Sequence, residues 1–268
     1  MNRIDKTLAL LQACGKKMLS PYITAGDPAP QSTVTLMHAL VEAGADILEI
    51  GIPFSDPMAE GPVIQAAMER ALSHGINCDD VLDMIKAFRK TNQSTPIVLM
   101  GYVNPVENYG YERFAKNAQA AGVDGTILVD LPPEESETIK SIWKSNNLYG
   151  IYLCSPTTSA SRMKLINSYA NGYLYYVSLK GVTGSSDFDL SNVERDYQQR
   201  KLQTNLPLMV GFGIKTADMA AKVAQFADGI IVGAALISTI LEAHEAGKNI
   251  CAAAASLIQE MRQAIDNG

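Results

Sequence analysis

DILEIGI, residues 46–52, is apolar apart from its first residue and Glu49, and it runs straight into the turn-forming loop PFSDPMAEGP, residues 53–62. A run this short and this continuously apolar suits a strand of a parallel sheet, buried on both faces. Working outward, seven more runs of the same kind recur: MLSPYITAG (18–26), PIVLMGY (96–102), GTILVDL (125–131), YGIYLC (149–154), YLYYVSL (173–179), PLMVGFG (207–213) and DGIIVGA (228–234). Amphipathic segments lie between them, among them STVTLMHALVEAG, CDDVLDMIKAFRK and YERFAKNAQAAG. Their apolar residues recur at three- and four-residue spacing, behind Ser, Thr or Asp residues suited to capping.

Eight strand–helix units in 268 residues place the chain in the α/β class and match a (β/α)8 TIM barrel. An open doubly wound sheet is the competing arrangement. No stretch has the composition of a linker, so residues 1–268 read as a single domain. An extra N-terminal helix over Asp5–Ala13 is placed to cap the barrel bottom, and a second extra helix, over Gly61–His74, is inserted after the second strand.

Hydrophobic residues make up 47% of the chain and charged ones 19%, below the roughly 25% typical of soluble domains, which allows a large core. A net charge of −6 argues against nucleic acid or an anionic membrane as partner, since both require basic patches. A small anion held by backbone N–H groups remains compatible. Cys14, Cys78, Cys154 and Cys251 form no CxxC pair and read as free thiols of a reducing compartment. With no signal-like apolar segment at the N-terminus and no membrane-length run, a cytoplasmic location is expected.

Barrel active sites lie at the C-terminal ends of the strands. Glu49 is near that end of its run, and period-two alternation turns it inward if Leu48 and Ile50 face the helices. Desolvation there raises a carboxyl pKa, which suits a general acid/base; the structural alternative is a core-edge glutamate bonded to a backbone amide. Glu60 ends the following loop, where Asp56 competes with it for any role. Glycine-rich segments follow the sixth, seventh and eighth runs: GVTGSS (181–186), VGFGIKT (210–216) and VGAA (232–235). Loops at these positions, with a helix N-terminus, form the usual phosphate cup of this architecture. Tyr22, Tyr102 and Tyr175 fall at strand ends, as pocket walls or as packing. His38, His74 and His244 lack metal-ligand spacing, so no metal site is expected.

FSDPMAEGP, GYVNP, LVDLPPEE, GVTG and GFGI, in this order and spacing, closely resemble the α-subunit family of tryptophan synthase, nearly end to end. The resemblance implies a lyase of tryptophan biosynthesis that cleaves indole-3-glycerol phosphate to indole and glyceraldehyde 3-phosphate by a retro-aldol step. Glu49 matches the family's general acid/base, Glu60 the carboxylate facing the indole nitrogen, and Tyr175 the aromatic near Glu49. Tyr22, Ile64, Met100, Ile127 and Phe212 would wall the indole pocket, with Thr183 meeting Glu60 as its loop closes. Gly184, Gly213, Gly233, Ala234 and Ala235 would cradle the phosphate.

No cofactor is implied in this chain. The partner implied is a pyridoxal-phosphate (PLP) β chain, in an allosteric αββα heterotetramer that receives the indole directly. Asp56, Pro57, Asn104, Asn108, Asp130 and Pro132 match the docking surface. The sequence departs from the family's pattern at Glu60, usually Asp, at Tyr22, usually Phe, and at Ala234, usually Ser. The extra methylene of Glu60 opens a second reading, a phosphate-binding chain of feeble activity that chiefly regulates the β chain.

Overall fold

A computed structural model of the chain describes residues 1–178, 190–211 and 213–268. Its strands are β1 (Met18–Thr24), β2 (Leu48–Gly51), β3 (Ile97–Gly101), β4 (Gly125–Leu128), β5 (Tyr149–Gly150), β6 (Tyr152–Cys154), β7 (Leu174–Val177), β8 (Leu208–Gly211) and β9 (Gly229–Val232). All the described pairings are parallel, in the order β5-β4-β3-β2-β1-β9-β8-β7-β6. The two edge strands of that list are successive in the chain, joined at Ile151, so the sheet returns on itself as a nearly closed barrel. The eight expected strands thus become nine among the described residues, because the run YGIYLC divides. Its first half pairs with β4 (Thr126↔Gly150), Ile151 N–H donates to Thr126 O at 2.9 Å, and its second half pairs with β7.

The helices are α1 (Arg3–Ala13), α2 (Thr33–Glu42), α3 (Pro62–Ser73), α4 (Cys78–Arg89), α5 (Val103–Tyr109), α6 (Tyr111–Ala121), α7 (Glu137–Ser145), α8 (Ala160–Tyr169), α9 (Leu190–Lys201), α10 (Ala217–Ala224), α11 (Ala234–Glu245) and α12 (Ile250–Asn267). The two extra helices expected from sequence are α1 and α3. The sequence reading did not foresee α5, which covers the VNP motif. Local chemistry explains several boundaries. Asn77 and Asp80 form a reciprocal capping box at the start of α4, and Pro62 opens α3 at the position where a missing N–H costs nothing.

The barrel bottom is closed by α1. Ile4 is fully buried, and a Cβ built on Gly125 or Gly172 would lie 3.3 or 2.9 Å from its side chain, so two glycines make room for it. Asn2 caps α1 by accepting from Ile4 N–H, and its amide donates to Asp124 O and Asn147 O. Asp124, 3% exposed, receives Arg3 at 3.0 Å, Arg89 at 2.9 Å and Ile97 N–H at 2.9 Å, and so ties α1, α4, β3 and β4 together. Removing one member of a buried pair strands the other charge. Asp124→Ala is therefore expected to cost about 3–5 kcal/mol, lowering Tm by roughly 10 °C, as urea and thermal unfolding would read.

At the other end, α3 is fastened to the loop after β1. Asp27, also 3% exposed, accepts Arg70 Nε at 2.6 Å and Nη2 at 3.1 Å. This two-pronged pair anchors the helix that directly follows Glu60.

Candidate active site

Parallel register sets side chains level across the barrel. Tyr22 pairs with Glu49 and Glu49 with Val98, while Gly51, Met100 and Ile127 form the next inward-facing layer toward the mouth. Glu49 is fully buried, as the alternation of β2 requires. Its Oε1 accepts a hydrogen bond of 2.8 Å from Tyr173 Oη, not from a backbone amide. Burial pushes its carboxyl up to about 8, only partly offset by the tyrosine, with the Glu60 charge adding to the rise. Ser20, on the same face of β1, lies close enough to favour the charged form. Even so, Ser20 Oγ and Glu49 Oε2 are both buried without a hydrogen-bond partner. One carboxyl oxygen is thus held and the other is open.

Tyr173 was not singled out in the sequence, where Tyr175 stood as the aromatic beside Glu49. Both face inward, two residues apart on one side of the YLYYVSL run, and the hydroxyl that reaches the carboxyl is the deeper one. Extending the alternation one step back from Tyr175 would have found it. Tyr175 remains in the neighbourhood, where burial and then the Glu49 and Glu60 charges hold its hydroxyl neutral. Tyr22 is held neutral by burial and then by Glu60.

These two rings need glycine opposite them. A Cβ on Gly51 would stand 2.1 Å from Tyr22 Oη, and one on Gly211 would stand 2.2 Å from the Tyr175 ring. Both tyrosines therefore lean across a strand glycine toward the mouth.

Glu60 is half-buried, and desolvation raises its carboxyl to about 7. Its loop is held through backbone atoms. Glu60 N–H donates to Pro57 O at 3.0 Å, Glu60 O accepts from Gln65 Nε2 at 2.8 Å, and Ala59 N–H donates to Tyr102 Oη at 3.1 Å. Asp56, its competitor, is exposed and takes a hydrogen bond from Ser55 Oγ. Of the two loop acids, Glu60 shares the electrostatic environment of Glu49 and the tyrosines.

Across the mouth, Gly233 caps α11, whose first internal bond runs from Ile237 N–H to Gly233 O. The N–H groups of residues 234–236 consequently have no acceptor within the helix. Ala234 is exposed, Ala235 half-buried, and Gly213 adopts φ +82° after β8. Ile64 of α3 lies 3.6 Å from the Cβ position of Gly233, bridging the Glu60 loop and this helix end. Thr183, Gly184 and Phe212 lie outside the described residues. No group of three or more His, Cys, Asp or Glu side chains converges as a metal site among the described residues.

Residues 8–266 match the family model described as tryptophan synthase alpha chain. The chain belongs to that family. It is 67% identical over 267 residues to the tryptophan synthase alpha chain of Legionella pneumophila (strain Lens), covering 100% of this chain and 98% of the relative. Against the alpha chain of Alkalilimnicola ehrlichii it is 50% identical over 266 residues, covering 99% and 97%. The crystal structure of tryptophan synthase subunit alpha from L. pneumophila str. Paris superposes with a TM-score of 0.96 at 64% identity, with full coverage of both chains. A chain of M. tuberculosis tryptophan synthase superposes with 0.88 at 30% identity, covering 99% of each.

As a tryptophan synthase alpha chain, the protein is a lyase that cleaves indole-3-glycerol phosphate in tryptophan biosynthesis. The second reading, a feeble regulatory chain, is not favoured by relatives this similar over their whole length. The family works with a beta chain. Of the residues matched to the docking surface, Asp56, Asn104, Asn108 and Asp130 are exposed and Pro132 is half-buried; Asp56, Asp130 and Pro132 lie on the loops after β2 and β4, and Asn104 and Asn108 on α5, which follows β3. Pro57 is buried within its own loop and thus shapes that surface from beneath, while the adjacent Met58 is 84% exposed. Asp130 also accepts from Val103 N–H at 2.8 Å, which fixes the start of α5. Among the described residues no helix is long and apolar enough to cross a membrane.

Proposed function

We propose that Glu49 shuttles the proton in this cleavage and that Glu60 holds the charge that the shuttle creates. The observation that carries the assignment is the Glu49 carboxyl itself, buried in the barrel with one oxygen tied to Tyr173 and the other open. Protonated Glu49 gives its proton to indole C3, which places a positive charge on the ring nitrogen. Ionised Glu60 faces that charge. Glu49, now a carboxylate, takes the proton of the glycerol hydroxyl next to the ring. The C–C bond breaks, the hydroxyl oxygen becomes the aldehyde carbonyl, and the bonding pair returns to the ring and neutralises the nitrogen. Glu49 ends the cycle protonated, so acid and base roles fall to one group in successive steps.

Tyr22, Ile64, Met100 and Ile127 wall the indole side. Gly213, Gly233, Ala234 and Ala235 receive the phosphate on backbone N–H groups at the α11 terminus. The two carboxyls must begin in opposite states, which their surroundings allow. Activity should rise as Glu60 ionises near pH 7 and fall as Glu49 loses its proton near pH 8. A bell-shaped kcat/KM with both limbs in that window is expected. A flat profile from pH 6 to 9, roughly the range in which such groups titrate, would remove the assignment.

The assembly proposed is an αββα heterotetramer in the cytoplasm, with PLP carried by the β chain and indole handed across the Asp56–Asn104–Asp130 face. Size-exclusion chromatography with its β chain should give one complex of four chains. Asp130→Lys should weaken that complex, because it inverts the charge on this face and frees the α5 N-terminus.

A further inference from the structure

On the outer side of the barrel wall, where the chain passes from β5 to β6 between α7 and α8, lies a cavity of about 310 Å³. Thr126 and Leu128 line it, whereas Ile127 between them faces the barrel interior, so the wall itself separates it from the active site. Four aromatic side chains surround it: Trp143, Tyr149, Tyr152 and Tyr169. Their polar atoms are engaged elsewhere. Trp143 Nε1 donates to Thr126 Oγ1 at 2.6 Å, Tyr169 Oη to Glu137 at 2.8 Å, and Tyr149 Oη to Asp5. Burial raises the Tyr152 hydroxyl above its ordinary range, an effect partly offset by nearby Ser136, so this hydroxyl stays neutral. What these residues present to the cavity is therefore apolar ring surface.

The rim carries charge of the opposite kind. Lys140 and Lys144, one turn apart on α7, line the opening. Lys140 Nζ sits 4.2 Å from the Tyr169 ring centroid, and neither lysine enters an ion pair among the described residues. An apolar aromatic chamber with two unpaired ammonium groups at its mouth suits a planar ring bearing a short acidic tail. The nearby carboxylates of Asp5 and Glu137 disfavour a dianion such as a phosphate monoester, which leaves a monoanion. The geometry points to a second small-molecule site on this chain, outside the barrel, that takes a compact arylalkyl carboxylate with its ring among Trp143, Tyr149, Tyr152 and Tyr169 and its carboxylate on Lys140 and Lys144.

Trp143 is the only tryptophan in the chain, so its indole N–H resonance in the full ¹⁵N-labelled protein reports on this cavity alone. Phenylacetate is the probe, with phenylacetamide as its neutral match and acetate as the charge without the ring. Phenylacetate should shift the resonance saturably with a Kd of about 1 mM, the range expected for so small a ligand. Phenylacetamide should bind about fivefold more weakly, as two solvent-facing ion pairs imply, and acetate should leave the resonance unmoved. In K140A/K144A the phenylacetate affinity should drop to that of the amide. The unliganded Trp143 resonance of that variant confirms that it is folded. No saturable shift with phenylacetate overturns the site. Equal binding of acid and amide, untouched by the lysine replacements, overturns the carboxylate assignment.

Discussion

Glu49→Gln is expected to lower the rate of indole release by about 10⁴-fold, the upper range for general acid–base catalysis, because in the proposed shuttle one group makes both proton transfers. Glutamine preserves the size of the side chain and can still accept from Tyr173 Oη through its amide oxygen. Because burial pushes the Glu49 carboxyl up to about 8, the group favours its protonated, uncharged form at neutral pH, and the substitution is expected to leave the ground-state pocket nearly unaltered. KM should therefore change little while kcat collapses, which single-turnover assays would separate from a folding defect.

The same variant has a stability signature. The folded-state pKa of Glu49, about 8, lies above its ordinary value of 4.5. The folded protein thus holds a proton that the unfolded chain has released, and native stability falls as pH rises from about 4.5 through 8. Glutamine has no proton to lose. Glu49→Gln should match the parent near pH 4 and exceed it above pH 8, by up to roughly 5 kcal/mol. Denaturant unfolding across that range would show the two curves diverging. Parallel curves would mean that the carboxyl is ionised throughout and is no acid.

Glu60→Gln is expected to lower kcat by about 10²–10³-fold, the range for losing one preorganised group that faces developing charge. It should also erase the acidic limb near pH 7 and leave only the fall near pH 8. Shortening the side chain tests placement separately from charge. Because the loop is fixed through the backbone of Pro57, Ala59 and Glu60 and by Gln65, it has no evident means of following a shorter acid inward. Glu60→Asp withdraws the carboxylate by about 1.5 Å and should cost on the order of tenfold to a hundredfold. If Glu60→Asp instead raises kcat, the loop has not adapted to glutamate, and the departure from the family's aspartate is a handicap.

The barrel and its direction were legible in the sequence because they follow from short-range rules. Continuously apolar runs separated by amphipathic segments bury both faces of a parallel sheet under helices, eight such units in 268 residues match a barrel better than an open doubly wound sheet, and alternation along DILEIGI is enough to turn Glu49 inward. The division of YGIYLC into β5 and β6 was not legible, since a change of pairing partner at Ile151 depends on how β4 and β7 approach from either side. Nor was the choice of Tyr173 over Tyr175 as the partner of Glu49. Both lie on the inner face, and only the depth of each ring in the closed barrel decides which hydroxyl arrives within 2.8 Å. The same holds for Glu60 against Asp56. Composition treats two acids of one loop alike, whereas the fold exposes one and desolvates the other, and it is desolvation that raises a carboxyl into the working range. Sequence by itself determined which residues face the barrel interior; the tertiary structure decided which of them meet, because contact across a closed sheet is set by strands far apart in the chain.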